Sequence, residues 1–204
     1  MHEWRASCSR ERFMGMPKLK TPPPVLSSKG SGQYRRALVR QVLTRPEPVL
    51  AARAIEVDPE SAEIVALADE LVATMRASPA CVGLAAPQIG RGMRVFSMDI
   101  TGHKKAKSCA GLIVMCNPRI VELRGNVVMR EGCMSVPHLT GNVARAAEVT
   151  VEGTEPGSGR VIRLSADAME ARCLLHEIDH LDGYVFVERV LDASADLFSR
   201  KWYA

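Results

Sequence analysis

The segment 166-ADAMEARCLLHEIDHL-181, near the end of the 204-residue chain, decides which fold is predicted. We predict a helix over this segment, and Gly183 just beyond it is a natural stop because glycine readily adopts the left-handed conformation of a helix C-cap. Short runs rich in β-forming residues precede the helix and are broken by Gly, Asn and Pro. The predicted strands are Val95–Met98, Leu112–Met115, Ile120–Leu123, Asn126–Met129, Ala147–Val151 and Val161–Leu164.

A first helix is predicted upstream of the strands. Asp58 is its predicted N-cap and Pro59 its first residue, and it ends before Pro79. Its apolar residues recur at spacings of three and four, which is typical of one buried stripe. They are Ile64, Leu67, Ala68, Leu71, Val72 and Met75. The order of helix, strands and helix predicts an α+β fold in which short antiparallel or mixed strands pack around the last helix.

The last predicted helix contains His176-Glu177-Ile178-Asp179-His180. Positions i and i+4 of a helix differ by only about 40° in rotation and about 6 Å in rise, so both imidazoles can bind one metal ion. Glu177 lies beside that stripe, where it can take a proton from water and deliver it to a leaving group. Taken alone, the pentapeptide is equally consistent with an exposed, charged helix end that matches the pattern by chance.

Two further segments offer groups to the same site. The segment 131-EGCMSVP-137 contains Cys133, whose thiolate binds Zn(II) or Fe(II) well, although an unpaired cysteine is more often a small buried apolar residue. The segment 82-VGLAAPQIG-90 places Gln88 among small residues that let a backbone pass close to a ligand. Its amide donor suits a developing oxyanion. By itself this segment is equally consistent with a turn that bears a surface glutamine.

The composition indicates a globular protein, with 47% hydrophobic and 25% charged residues. The 6 cysteines are scattered without a C-x-x-C pair, which favours reduced thiols over a disulfide framework. No apolar run approaches the roughly 18 to 20 residues that a membrane helix needs, so no membrane partner is predicted.

The first 36 residues differ from the remainder in charge. They hold eight of the 27 basic residues and two of the 23 acidic ones, so the basic excess lies there and the remainder is slightly acidic. Prolines 22–24 and a Ser/Gly-rich stretch indicate a disordered extension or an upstream start codon, with Met14 or Met16 as the true start. An organelle transit peptide and a tether to ribosomal RNA are the other interpretations. Residues 37–204 are predicted to form a single catalytic domain that does not bind DNA specifically.

Three segments, in this order, resemble the peptide deformylase family. They are Gly-Leu-Ala-Ala-Pro-Gln at 83–88, Glu-Gly-Cys-Met-Ser at 131–135 and His-Glu-Ile-Asp-His at 176–180. The resemblance extends from about Leu43 to Val190 and includes Pro48-Val49-Leu50 and the turn Asn117-Pro118. It implies that the α+β fold is deformylase-like, with the motif-bearing helix at its centre.

The resemblance also implies a metal centre. Cys133, His176 and His180 would hold one divalent ion per chain, with water as the fourth ligand. The family resemblance implies Fe(II) as the physiological ion, with Ni or Co as active substitutes and Zn often less active. The donor atoms alone would equally suggest Zn.

The implied reaction is removal of the formyl group from the N-terminal formyl-methionine of nascent polypeptides, with release of formate. A metal-bound hydroxide would attack the formyl carbon, with Glu177 as general base and then acid. The side-chain amide of Gln88 and the backbone N–H of Met134 would stabilise the oxyanion.

Four further residues have implied supporting roles. Gly83 and Gly132 would pair with the substrate backbone as a neighbouring strand does. An ion pair between Glu131 and Arg145 would orient the cysteine loop.

The sequence departs from the family pattern at three positions. Cys81 stands where glycine is common, Met134 where leucine is usual, and Leu175 where glutamine usually precedes the first histidine. Met134 is expected to matter little because Met fills a volume similar to that of Leu. Leu175 affects the surroundings of an imidazole, and Cys81 adds a thiol with possible redox sensitivity near the site.

Two other functions compete with the deformylase interpretation. An ordinary H-E-x-x-H metalloprotease would lack both the cysteine loop and the Gln-bearing segment. A catalytically impaired deformylase-like protein would bind formylated peptides without turning them over, and Leu175 is the feature that favours it. The expected partners are formyl-Met nascent peptides and the ribosome, and the expected location is the bacterial cytoplasm or, as second choice, an organelle.

Overall fold

The computed structural model describes residues 38–200, so the predictions for the N-terminal extension lie outside the described residues. Three α-helices run over Ala62–Ala77 (α1), Ala168–Leu181 (α2) and Ala193–Asp196 (α3). Eight strands lie within the same described residues: Gly83–Ala85 (β1), Val95–Met98 (β2), Ile113–Arg124 (β3), Val127–Cys133 (β4), Val136–Arg145 (β5), Glu148–Thr154 (β6), Val161–Asp167 (β7) and Leu197–Ser199 (β8). No helix within residues 38–200 is long and apolar enough to cross a membrane.

The strands form two antiparallel sheets. One has the order β1-β2-β3-β6-β7, and the other has the order β4-β5-β8. Helix α2 buries its apolar face against the larger sheet, where Leu174 and Leu181 share a core with Phe96, Met98 and Met115. The α+β prediction is confirmed, and α2 lies centrally because it packs on one sheet while its motif faces the other.

Helix α1 begins later than predicted. Ser61 is its N-cap and accepts a hydrogen bond from the Ile64 N–H at 3.3 Å. Asp58 instead accepts from the Glu60 N–H at 3.0 Å within a preceding turn, so the prediction that Asp58 caps the helix was wrong. The predicted apolar stripe is buried throughout, and the helix ends at Ala77, before Pro79 as expected.

Helix α2 begins at Ala168 and ends at Leu181, close to the predicted bounds. Gly183 has a φ of +83°, and a Cβ there would lie 2.9 Å from the Ala51 carbonyl oxygen. Both the backbone conformation and the close approach therefore require glycine at this stop.

Strand β3 unites two predicted strands. The Asn117-Pro118 pair lies inside this strand at a break in register rather than in a turn between strands. Asn117 has a φ of +49°, and its side-chain amide bonds both the N–H and the carbonyl of Val57, at 2.9 and 2.8 Å. These two hydrogen bonds therefore attach the segment before α1 to the larger sheet.

The two sheets meet at their edges. Strand β1 is an edge of the larger sheet and β4 is an edge of the smaller one. Gly83 on β1 and Gly132 on β4 line the same cavity, as do residues of α2. The fold therefore leaves a cleft between two open strand edges, with the helix of the His-Glu motif at its base.

Candidate active site

Helix α2 and the end of β4 bring together the three predicted metal ligands. The rings of His176 and His180 have centroids 5.0 Å apart and stand nearly edge to face. Cys133 Sγ lies 3.1 Å from His180 Nε2. One ligand atom from each residue can be chosen so that all three lie within 4.8 Å of one another. This spacing fits a single ion between them.

The electrostatics of these groups also fit a metal. Burial alone would raise the pKa of the Cys133 thiol, but the charges and hydrogen bonds of His180 and His176 outweigh it and hold the pKa well below its usual value. The sulfur is therefore present as a thiolate, which is the form that binds a metal. A thiolate with two imidazoles suits both Zn(II) and Fe(II).

Glu131 orients one of the imidazoles. Its Oε2 lies 2.9 Å from His176 Nδ1, which leaves Nε2 for the ion. Arg145 donates to both oxygens of Glu131, at 2.6 and 3.0 Å, and Arg172 donates to Oε1 at 2.5 Å. Burial opposes ionisation, but the hydrogen bonds and charges of His176 and Arg145 hold the pKa of Glu131 far below its ordinary value.

The ion pairs extend further than predicted. Arg145 also donates to Asp179 Oδ2 at 2.8 Å, and Arg189 binds Asp179 Oδ1 at 2.6 Å. The predicted Glu131–Arg145 pair is thus the centre of a chain of ion pairs that runs from Arg172 to Arg189. The sequence carried a signal for Arg172, which precedes His176 by four residues and so shares its helix face.

Gln88 and Ser135 surround the cysteine sulfur. Ala85 N–H donates to Gln88 Oε1 at 2.9 Å, which turns the amide NH₂ toward the site. Gln88 Nε2 lies 3.1 Å from Ser135 Oγ and 3.5 Å from Cys133 Sγ, and Ser135 N–H donates to the same sulfur at 3.4 Å. The sequence analysis gave Ser135 no role, although it belongs to the matching Glu-Gly-Cys-Met-Ser segment. In the structure it links the glutamine to the cysteine.

Glu177 is buried between α2 and β1. Burial is the main cause that raises the pKa of its carboxyl group to about 7. Its Oε2 has no hydrogen-bond partner within residues 38–200. A Cβ at Gly83 would collide with Glu177 Oε1 and lie 2.8 Å from Cys173 Sγ, so a larger residue there would displace the carboxylate or the thiol.

These groups line one cavity of about 430 Å³. Met169, Cys81 and Cys173 line the same space. Burial is the main cause that raises the pKa of Cys81 to about 12, so its thiol is protonated at neutral pH. The Cys173 pKa is also raised, again chiefly by burial. Beside the polar centre the cavity therefore offers neutral sulfur and apolar surface.

The structure brings together all ten residues that the sequence analysis placed at the site. Eight of them line the cavity: Gly83, Gln88, Glu131, Gly132, Cys133, Met134, His176 and Glu177. The other two, His180 and Arg145, are buried beside Cys133 and Glu131, respectively.

The site between the two strand edges combines a thiolate and two imidazoles, which can bind a metal ion, with a buried carboxylate, which can move a proton. This combination defines a metal-dependent hydrolase. A family model described as polypeptide deformylase matches residues 39–195. The chain therefore belongs to the polypeptide deformylase family, the metal-dependent hydrolases that remove the N-terminal formyl group from nascent polypeptides.

Individual relatives agree with this assignment. The chain is 41% identical over 153 residues to a peptide deformylase of Halothermothrix orenii, a match that covers 75% of this chain and 94% of the relative. It is 36% identical over 164 residues to a peptide deformylase of Syntrophobacter fumaroxidans, and this match covers 80% of this chain and 94% of the relative.

Solved structures show the same fold. A peptide deformylase of Acinetobacter baumannii with Met-Ala-Ser bound superimposes with a TM-score of 0.68 at 33% identity, covering 76% of this chain and 99% of that one. A peptide deformylase of Legionella pneumophila gives a TM-score of 0.68 at 35% identity, covering 75% and 86%, respectively.

Proposed function

We propose that this chain deformylates N-terminal formyl-methionine peptides, with its chemistry divided among Cys133, His176, His180, Glu177, Gln88 and Met134. The observation that carries the proposal is the position of Glu177: a buried carboxylate on the same helix as two imidazoles that lie beside a thiolate. No other part of residues 38–200 brings a thiolate, two imidazoles and a buried carboxylate into one cavity.

Cys133, His176 and His180 would hold one divalent ion per chain. When bound, the ion supplies Lewis acidity that lowers the pKa of a water molecule from about 15.7 toward 7. Glu131 and Arg145 keep the His176 ring in the orientation that this requires. We propose Fe(II) as the physiological ion, with Ni or Co as active substitutes, because the family resemblance implies this preference, whereas the thiolate and imidazoles alone would suit Zn equally.

Glu177 moves the proton. With a pKa near 7, its carboxylate can accept a proton from the attacking water at working pH and then release it to the departing amine. The buried position of Glu177 keeps competing water away from this transfer. The unpartnered Oε2 leaves one oxygen available for the proton.

Two donors stabilise the oxyanion. Gln88 presents its amide NH₂ at the cysteine sulfur, and Met134 lies in the two-residue turn that joins β4 to β5 directly after that cysteine. A side-chain and a backbone donor would thus flank the formyl oxygen of a bound substrate. Loss of one such donor typically costs about 2.7–4 kcal/mol of transition-state stabilisation.

The substrate backbone would lie between the two sheets. Gly83 and Gly132 belong to open edges, whose unpaired N–H and C=O groups can bond an extended peptide. The Met-Ala-Ser peptide in the Acinetobacter baumannii structure supports a peptide with an N-terminal methionine as the ligand. The methionine side chain would enter the sulfur-rich part of the cavity beside Cys173 and Met169.

The setting of the reaction is also part of the proposal. Nascent chains that begin with formyl-methionine are the substrates, so the ribosome is the expected source of substrate. The bacterial cytoplasm is the expected location, with an organelle as the second choice. Residues 37–204 would be the catalytic domain.

Formate release from a short formyl-Met peptide tests the reaction. Protein purified without oxygen and loaded with Fe(II), Ni or Co should turn the peptide over, whereas Glu177→Ala should bind the ion and release no formate. A wild-type protein that is inactive with all three ions but still binds the peptide would support the alternative, a catalytically impaired binder. Restored turnover in Leu175→Gln would then identify the cause.

A further inference from the structure

Residues 40–45 run past the two loops that hold the proposed oxyanion donors. The Leu43 N–H donates to the Gln88 carbonyl at 2.8 Å. Two positions later, the Arg45 N–H donates to the Ser135 carbonyl at 3.0 Å. Gln88 lies between β1 and β2 of the larger sheet, and Ser135 lies between β4 and β5 of the smaller one. One short segment therefore bonds to a loop of each sheet.

The two loops also contact each other at the site. Gln88 Nε2 lies 3.1 Å from Ser135 Oγ. The Ser135 N–H donates to Cys133 Sγ at 3.4 Å, and Met134, the proposed backbone donor, is the residue between them. The segment therefore holds both sides of the contact between the glutamine and the cysteine turn.

The segment is itself fixed at both ends. The Arg40 N–H donates to Thr74 Oγ1 at 2.9 Å, and its guanidinium Nε donates to Glu70 Oε2 at 3.0 Å. Both of these acceptors belong to α1. At the other end, Arg45 Nη1 lies 3.0 Å from Glu188 Oε1, in the segment after α2. Because both ends are anchored, the segment can hold the two loops at a fixed separation.

The amide of Gln88 depends on the main chain of its own loop. The Ala85 N–H donates to Gln88 Oε1 at 2.9 Å, so the side chain is bonded to the backbone three positions away. Gln88 is buried, which leaves its amide little room to adjust if the loop moves. A shift of the loop would therefore move the NH₂ group relative to the cysteine turn. Such a shift matters because a misplacement of about 1 Å can cost about 10²-fold in rate.

We propose that Leu43 and Arg45 are positioning residues for the reaction, a proposal that rests on the deformylase function above. Their main-chain N–H groups set the distance between the Gln88 amide and the Met134 N–H, so that both donors can bond one oxyanion at the same time. The N–H groups carry this role. A change that removes one N–H and keeps the side chain should therefore impair catalysis.

A backbone ester at position 43 tests the proposal. Translation of the full chain in vitro with the α-hydroxy acid analogue of leucine replaces the Leu43 N–H by an oxygen and keeps the side chain. With a short formyl-Met peptide, we expect kcat per bound nickel ion to fall by about ten-fold and KM to stay within about two-fold. The nickel content should be unchanged. The same replacement at Val42, whose N–H has no hydrogen bond within residues 38–200, should leave kcat at the wild-type value.

A double-mutant cycle separates positioning from general damage. Gln88→Ala keeps the carbonyl that the Leu43 N–H bonds and removes the amide that this bond is proposed to position. In that background the Leu43 ester should change kcat by less than about two-fold, because the positioned group is gone. A loss of about ten-fold that persists in Gln88→Ala, or a Leu43 ester with wild-type kcat, would overturn the proposal.

A second ester tests Arg45. Arg45→Leu with an ordinary amide removes only the guanidinium and should lower kcat by less than about two-fold, since the ion pair with Glu188 is partly exposed. The same substitution introduced as the α-hydroxy acid also removes the N–H and should lower kcat by a further factor of about five to ten. Equal kcat for the two forms would contradict the proposal. Absence of turnover in the unmodified protein with Fe(II), Ni and Co would instead contradict the deformylase function itself.

Discussion

Gly83 has no room for a methyl group, because a Cβ there would collide with Glu177 Oε1 and crowd Cys173 Sγ. We expect Gly83→Ala to displace the carboxylate and to lower kcat/KM by about 10²-fold, because misplacing a reacting group by about 1 Å can cost that much. Formate release should fall, whereas the metal content of the purified variant should be unchanged; both are measured. Gly92→Ala is the matched control, since a Cβ at Gly92 meets nothing within 4 Å. Equal losses in both variants would show that crowding at Glu177 is not the cause.

Glu131 is the acceptor that joins His176 to two buried arginines. Glu131→Gln would leave Arg172 with a neutral partner and Arg145 with Asp179 as its remaining carboxylate, so we expect a loss of about 3–5 kcal/mol in the free energy of unfolding. Metal affinity should fall by about 10- to 100-fold because the imidazole is no longer oriented. Denaturant unfolding and metal titration measure the two effects. Glu122→Gln, whose ion pair is exposed, should change neither.

Cys81 is protonated well above neutral pH because burial raises its pKa to about 12. Its alkylation rate should therefore still be rising between about pH 8 and pH 10, whereas a thiol of ordinary pKa near 8.5 approaches its plateau over that range. Peptide mapping by mass spectrometry after brief exposure to iodoacetamide would follow each cysteine separately. A plateau for Cys81 below pH 9 would contradict the burial argument.

At the scale of elements, the sequence prediction and the structure disagree about which residue caps the start of α1. Ser61, not Asp58, accepts the helical N–H, so Ser61→Ala should cost about 0.5–2 kcal/mol in the free energy of unfolding. Asp58→Ala removes only a bond within an exposed turn and should cost less. Chemical denaturation of the two variants provides the comparison, and a larger loss at Asp58 would restore the sequence-based assignment.

The elements that were predicted well have strong local signals. The apolar stripe of α1 recurs at helical spacings, and Val95–Met98 is a short run rich in β-forming residues; both were located closely. Strand β5 was missed because Pro137 and Gly141 are typical of turns, yet the strand is held by pairing with β4 and β8. Strands β1 and β8 have three residues each, too few for a pattern to be detected.

The site was predicted more fully than the fold around it. Cys133, His176 and His180 could be grouped because the order of three motifs is specific, whereas each motif alone is not. Asp179 and Arg189 were missed as partners because their contact depends on how the chain turns after α2, which no local pattern reveals.

At the scale of the whole molecule, the three metal ligands join parts that pack separately. Cys133 ends an edge strand of the smaller sheet, while His176 and His180 lie on the helix that packs against the larger one. Removal of the ion should therefore weaken the contact between the two sheets. At an ion concentration of about 100 times Kd, we expect binding to add about 2.7 kcal/mol to the free energy of unfolding. Thermal unfolding with and without a chelator measures this, and an unchanged Tm would contradict a shared role for the ion.

The separation of the ligands along the chain has a consequence for synthesis. Cys133 and His180 are 47 positions apart, and the histidines lie in the last long helix of the described chain. At about 5–20 residues per second, a ribosome exposes the lone thiol seconds before the imidazoles follow. During that interval the polypeptide offers an incomplete chelate, open to ions that prefer sulfur alone. The complete set of three ligands therefore exists only after the last long helix has been made.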